Sequence, residues 1–548
     1  MTNLKSTLWL IALLALVNLN TYAGKKHNTD SLTIKRQTDS VISNLKQKIN
    51  NLKIAGLTIT NIQYAPEGNY MRQGAKRPMR NLPAFYDVAA IMSPVPGSSI
   101  KIEVFLPEKN WNGRLLGIGN GGGGGDIPAG SLAQGLKMGY AAGSTDMGTY
   151  PNANLAVGRP EVWADFGYRS THLMTVISKA VIKAYYNKPQ HHAYFIGCST
   201  GGGQALMEAQ RYPNDYNGII AGSPANNRTH LHINFLRDYL SIRTGHDSLF
   251  TKDEVAYISH TIISAFAGKD GGNVTDNFLT DPRLAKFDPA ILFKGKFSDK
   301  QIAALKTIYA GPRNLRTGEQ IYTSLPPGSE ISSLGLMDQQ KEKLYPVEHY
   351  YQLKWVFGAD YDFTKFDFDK DMAKVDDVLA PLLNANNPNL EPLKKAGGKL
   401  IMFTGTADPI VPFQDALNYY ERVVKRQGNL KTTQSFFRYF LVPGMGHCSG
   451  GVGVNEFGQN LGSNAESTSD NNVLMALVKW VEEKAAPEKI IASGFTCCTV
   501  KRERFQRPVY PYPKFPQYVS GDINAASSYT GVTHQRGLVL KPAEKYLR

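Results

Sequence analysis

Cysteine is scarce in this chain: four in 548 residues. That excludes a scaffold built from disulfides. Charge is scarce too, at 20%, and 42% of the residues are apolar, so wholesale disorder is excluded. No apolar run of 18 residues occurs, so no internal stretch reads as a membrane span. The formal charge is +15, yet no basic block is long enough to mark a nucleic-acid binder. The excess reads as a solvated basic surface that could favour acidic polymers.

At the N-terminus, Lys5 precedes the ten-residue apolar stretch Leu8 to Val17, and Thr21-Tyr22-Ala23 offers a small-residue cleavage site. Residues 1–23 therefore read as a secretory signal, the other reading being an uncleaved anchor. The expected location is periplasmic or secreted, where disulfides are permitted.

Short apolar runs at 100–106, 115–119, 140–143 and 193–197 read as strands, and so do 400–404 and 437–442. Helical spacing appears at 170–186 and 203–211, and Asp470 stands as the cap of a helix carrying Val473, Leu477 and Val481. Alternation of this kind predicts an α/β fold with a mostly parallel sheet. Residues 227–390 show few strands and read as an insertion between two parts of one domain, 24–226 and 391–548. The Pro- and Tyr-rich stretch 500–520 is expected to run extended over the surface.

Gly197-Cys198-Ser199-Thr200-Gly201 fits G-x-S-x-G between a predicted strand and a predicted helix. That is where a sharp turn lifts a serine oxygen clear of a sheet. A serine needs a base, and the base needs an acid to orient it. Asp408 and His447 follow later strands in the order Ser, Asp, His. Read singly, each is an ordinary loop residue; together they form a candidate triad. Thr200 and the glycine-rich loop, at Gly121 or Gly122, are the candidate oxyanion donors. The same loop contains Gly117, Gly119 and Gly122 as G-x-G-x-x-G, with Asp146 beyond. A dinucleotide-dependent oxidoreductase is therefore a second reading. A non-catalytic binder of acidic polymers is a third.

Cys198 and Cys448 flank the candidate serine and histidine. A disulfide between them is geometrically open to the chain, the alternative being two separate buried thiols. Cys497 and Cys498 are adjacent and read as buried free thiols.

These residues carry a likeness. GNGG (119–122), GYAAGSTDMG (139–148), GCSTGG (197–202), EAQRYPNDYNGIIAGSPA (208–225), DP (408–409), PGMGHCSGGVG (443–453) and RPVYPYP (507–513) resemble the tannase and feruloyl esterase family. The resemblance runs from about residue 54 to about 530. It implies an α/β-hydrolase core with a large lid domain inserted after the nucleophile-elbow helix. It also implies a Cys198–Cys448 bridge and hydrolysis of esters of aromatic acids. The expected partners are small aromatic or plant-polymer-derived esters, with no nucleic acid and no membrane span. No cofactor is required for this chemistry. The family's lid typically carries a calcium loop, and the resemblance maps it here to Asp270, Val274, Asp276 and Phe278. Gly268 and Ala285 replace the family's cysteine pair, Gly272 stands where a second Asp is usual, and Gly203 replaces an Arg. Such a site has few oxygens for calcium. Lid aromatics such as Phe357, Tyr361 and Phe363 are expected to meet the substrate.

Overall fold

A computed structural model describes residues 36–332, 335–336, 351–495, 504–533 and 540–547. The signal reading (1–23) and the Cys497-Cys498 doublet lie outside the described residues. Among the described residues nine strands form the main sheet: β1 (Leu57–Ala65), β2 (Phe85–Met92), β3 (Ile100–Pro107), β4 (Arg114–Ile118), β5 (Ala141–Thr145), β6 (His192–Cys198), β7 (Gly218–Gly222), β8 (Lys399–Gly405) and β9 (Phe437–Val442). Their spatial order is β1-β2-β3-β5-β4-β6-β7-β8-β9.

The sheet is mixed. β1, β2, β3 and β5 pair antiparallel in turn, whereas every pair from β5 to β9 is parallel. Composition explains the division. β5, β7 and β9 are buried at every position, as strands covered on both faces must be. β1 alternates between exposed and buried residues at the edge.

Two apolar layers flank the sheet. Leu115, Phe195, Ile219 and Met402 face one, packed with Met174, Val181, Leu206 and Phe413 from three helices. Leu116, Ile196, Ile220 and Phe403 face the other, packed with Leu132, Leu136, Leu474 and Trp480. Successive residues on one strand thus enter opposite layers.

Between Gly222 and Lys399 the chain adds no strand to the sheet among the described residues. Its helices include Arg228–Ser241, Lys252–Phe266, Asp299–Ala310 and Lys370–Leu383. They bury one apolar cluster of their own, around Ile258, Leu305 and Phe293, and share another with the 147–166 segment, around Trp163, Trp355 and Leu379. No helix among the described residues is long and apolar enough to cross a membrane.

Two local expectations change. Asn472, not Asp470, caps the helix Val473–Glu483, its side chain accepting from the Leu474 and Met475 N–H groups. Nor does the Pro- and Tyr-rich stretch lie extended over the surface. Arg504–Val509 pairs antiparallel with Ile490–Phe495, Tyr512 donates its N–H to the Tyr439 carbonyl, and Tyr512 and Phe515 are buried. Their apolar rings outweigh the preference of proline for an exposed extended chain.

Candidate active site

The carboxyl ends of β4, β6, β8 and β9 point the same way, because these strands are parallel. In α/β sheets that edge, where the chain crosses over, is where ligands bind. Here β4 leads into the glycine-rich loop, β6 into Ser199, β8 into Asp408 and β9 into His447.

Ser199 sits at φ +63° and ψ −118° between β6 and the helix Thr200–Arg211. That is a strained backbone for a residue with a Cβ. The strain is held by three bonds: Ser199 donates its N–H to the Gly222 carbonyl, and its own carbonyl accepts from Gly203 and Ala225. The turn works only if its neighbours are small. A Cβ on Gly197 would lie 2.3 Å from the Gly201 carbonyl oxygen, and one on Gly119 would lie 2.7 Å from the Gly201 Cα. Gly119 therefore serves the close approach of the loop to the elbow. A Cβ on Gly117 would meet the Tyr216 hydroxyl at 2.3 Å. These glycines are spent on packing, and the loop runs on to Asp126 before the helix Ala129–Lys137 begins. No phosphate-binding turn into a helix N-terminus forms, as a dinucleotide site would require.

Asp408 is fully buried. Its Oδ1 accepts from the Ile410 and Val411 N–H groups at 2.9 Å each. Both carboxylate oxygens face His447 Nδ1, at 3.1 and 2.9 Å. That leaves Nε2 of the imidazole free of the acid, on a ring that is 13% exposed. Cys198 and Cys448 form a disulfide with Cα atoms 5.9 Å apart. Ser199 and His447 are the next residues, so the bridge fastens the elbow to the histidine loop across 250 residues of sequence.

On the glycine side, Gly121 and Gly122 are exposed, and neither N–H donates to another group among the described residues. The loop is fixed from behind, where Gln204 Oε1 accepts from Asn120 N at 2.8 Å. Thr200 Oγ1 donates to the Gly122 carbonyl at 2.6 Å.

Sequence reasoning missed Arg228. Its guanidinium is buried and donates to Thr200 Oγ1 (3.0 Å), the Gly122 carbonyl (2.8 Å) and the Tyr351 hydroxyl (2.6 Å). The Phe166 ring lies 4.7 Å away. One cation thus joins the elbow, the glycine loop and the insertion. The only signal in the sequence was an arginine just after the matched segment 208–225.

The 268–281 loop is also placed near this machinery. Thr406 Oγ1, on the way to Asp408, donates to the Leu279 carbonyl at 2.9 Å and accepts from Gly444 N at 2.8 Å. Phe278 packs so close to Gly444 that a Cβ there would lie 2.5 Å from its ring. Phe278 therefore supports the histidine loop by packing.

The four carboxylate oxygens of Asp270 and Asp276 all have donors. Asp270 accepts from the N–H groups of Gly272, Thr280 and Asp281. Asp276 accepts from Asn273 N at 3.0 Å and Arg507 Nη2 at 2.6 Å. Burial pushes both carboxyls up. Val274 and Phe278 could offer only their backbone carbonyls, and the Phe278 ring is spent on packing, 3% exposed against 76% for Val274. Calcium asks for six to eight oxygens; here the loop offers two carboxylates, one of them already neutralised by the permanent Arg507 cation, whose charge opposes a divalent ion, and the set does not fit calcium. Another cluster could hold a metal ion: ligand atoms of His172, Glu208 and Asp215 lie within 4.8 Å of one another. Glu208 is fully buried, and burial followed by the Asp215 charge raises its pKa well above the carboxylate range. The Lys179 ammonium, 3.6 Å from Asp215 Oδ1, already supplies positive charge there.

Phe357, Tyr361 and Phe363 pack with the cluster around Trp355, and Phe357 stacks on Tyr361 at 4.4 Å.

A family model described as "Tannase and feruloyl esterase" matches residues 88–532. The chain belongs to the tannase and feruloyl esterase family. It is 32% identical over 504 residues to an uncharacterised esterase of Xanthomonas campestris, covering 84% of this chain and 87% of that protein. It is 33% identical over 423 residues to a probable feruloyl esterase B-2 of Aspergillus flavus, covering 73% and 78% respectively. The solved feruloyl esterase B from Aspergillus oryzae superposes with a TM-score of 0.79 at 26% identity, covering 89% of this chain and all of that one. Tannin acyl hydrolase from Aspergillus niger has a TM-score of 0.70 at 20% identity, covering 92% and 96%, and shows the shared fold. The protein is thus a carboxylic ester hydrolase of this family, an α/β-hydrolase.

Proposed function

We propose that this protein is an exported serine esterase that cleaves esters of aromatic acids of the feruloyl or galloyl type. Ser199 attacks the ester carbonyl. His447 Nε2 takes the serine proton and returns it to the leaving alcohol, while Asp408 holds the ring through Nδ1. The Thr200 N–H, with Gly121 or Gly122, holds the oxyanion, and water then releases the acyl group. Arg228 acts through these donors as a positioning residue, bracing Thr200 against Gly122. The observation that carries this reading is the buried Asp408–His447 pair, fastened by Cys198–Cys448 to the strained Ser199 turn.

The insertion, with bounds near 227 and 390, acts as the lid over this edge of the sheet. Export is supported by the N-terminal segment and by the disulfide, which persists in oxidising compartments. No step requires a metal.

Residues 24–548 assayed on methyl ferulate, methyl gallate and mono-hydroxyethyl terephthalate test the reading. Turnover of at least one ester is expected, with Ser199→Ala lowering it by at least about 10⁴-fold. Full turnover in Ser199→Ala overturns the mechanism, and inertness towards all three overturns the substrate class.

A further inference from the structure

The glycine-rich loop has a second end. Beyond Gly125 it lines a cavity of about 840 Å³ that holds none of the candidate triad residues. Gly121 and Gly125 are four residues apart, so chain reach puts this wall within about 14 Å of the oxyanion loop's Gly121. The 72–77 turn between two short strands, Gly68–Tyr70 and Met79–Leu82, also lines it.

The lining is basic. Arg72, Lys76, Arg77 and Lys101 face it, against Asp126 and Asp146. Arg72 is matched by the buried Glu103 behind it. Lys76 and Arg77 are exposed and make no ion pair among the described residues. Lys101 Nζ lies 3.1 Å from the centroid of the Tyr150 ring, and Tyr150 is 60% exposed. Asp146, 1% exposed, uses Oδ1 on the Lys101 and Gly148 N–H groups. Its Oδ2 has no partner among the described residues.

Cations and one exposed aromatic ring are the groups that recognise a sugar bearing carboxylates. The ring takes the apolar face, and Lys76, Arg77 and Lys101 take the carboxylates. Single-stranded nucleic acid asks instead for a series of stacking rings. We propose that this cavity binds an acidic oligosaccharide, the alcohol part of the ester whose acyl group is cleaved at Ser199. The proposal rests on the esterase reading above and gives it a substrate class: aromatic esters carried on carboxylated glycans.

Calorimetric titration of oligogalacturonate into the Ser199→Ala protein tests binding without turnover. Saturable binding is expected, weakening between low and physiological salt. A neutral xylo-oligosaccharide should bind at least about tenfold more weakly, and K76E/R77E should lower affinity for oligogalacturonate about tenfold. Both substituted positions are exposed, and thermal unfolding checks that the variant is folded. Equal binding of the two sugars, or unchanged affinity in folded K76E/R77E, overturns the proposal. In turnover, the kcat/KM ratio of a feruloylated acidic oligosaccharide to methyl ferulate should fall about tenfold in K76E/R77E; an unchanged ratio also overturns it. Failure on methyl ferulate alone would sink the esterase reading, while the titration still decides the cavity.

Discussion

Asp408 and Asp276 are both carboxylates placed against a basic side chain close to the histidine loop. Asp408 is fully buried and faces His447. Asp276 is nearly buried and faces Arg507. The difference lies in the partner. An imidazole gains and loses a proton near neutrality, so an acid fixed on one nitrogen prepares the other for proton transfer. A guanidinium keeps its charge at any working pH, so the second pair can only hold. It joins the 268–281 loop to the C-terminal strand Arg504–Val509, and that loop in turn touches Thr406 and Gly444. One pair has the chemistry to move a proton; the other can only brace.

The contrast can be broken at either end. Asp408→Asn keeps the shape but loses the charge and offers the imidazole the wrong hydrogen bond. Its kcat should fall by about 10⁴-fold while the melting temperature changes little. A small loss of rate would place the acid elsewhere. Arg507→Met leaves Asp276 buried without its cation. That should destabilise the protein by about 3–5 kcal/mol, read by denaturant unfolding, with kcat changing far less than in Asp408→Asn. If Arg507→Met instead lost rate without losing stability, the brace would be part of the chemistry. The smallest effect sharpens the comparison. Arg228→Met removes a cation that touches neither acid, and should lower kcat about 10²-fold with KM changing little. A rise in KM at constant kcat would make Arg228 a substrate contact.

The sheet was legible because its strands are local. β3, β4, β6, β8 and β9 appear as short apolar runs, and the elbow declares itself by a five-residue spacing. The Ser–Asp–His order could be read because each member follows a recognisable strand. The bracing could not. Arg228 meets Gly122 across 106 residues and Asp276 meets Arg507 across 231, and no periodicity carries such pairings. Asp276 was singled out as a calcium ligand by its position in the loop, but what it faces is set by a strand near the other end of the chain. The cap was misjudged by two residues because Asp470 and Asn472 have almost the same propensity, and only the bond to the Leu474 and Met475 N–H groups decides between them. The 500–520 stretch was judged by its prolines, whereas its buried tyrosine and phenylalanine rings determine where it lies.

Arg228 is the first residue of the first helix in the insertion, and it is bonded to the elbow helix and to the glycine loop at once. Mechanically, the start of the 227–390 stretch is welded to the elbow and the glycine loop. A movement of this helix as a unit would drag Thr200 and Gly122 with it. If this stretch acts as the proposed lid, it must bend farther along the chain to open, leaving this first helix as the fixed jamb of the door.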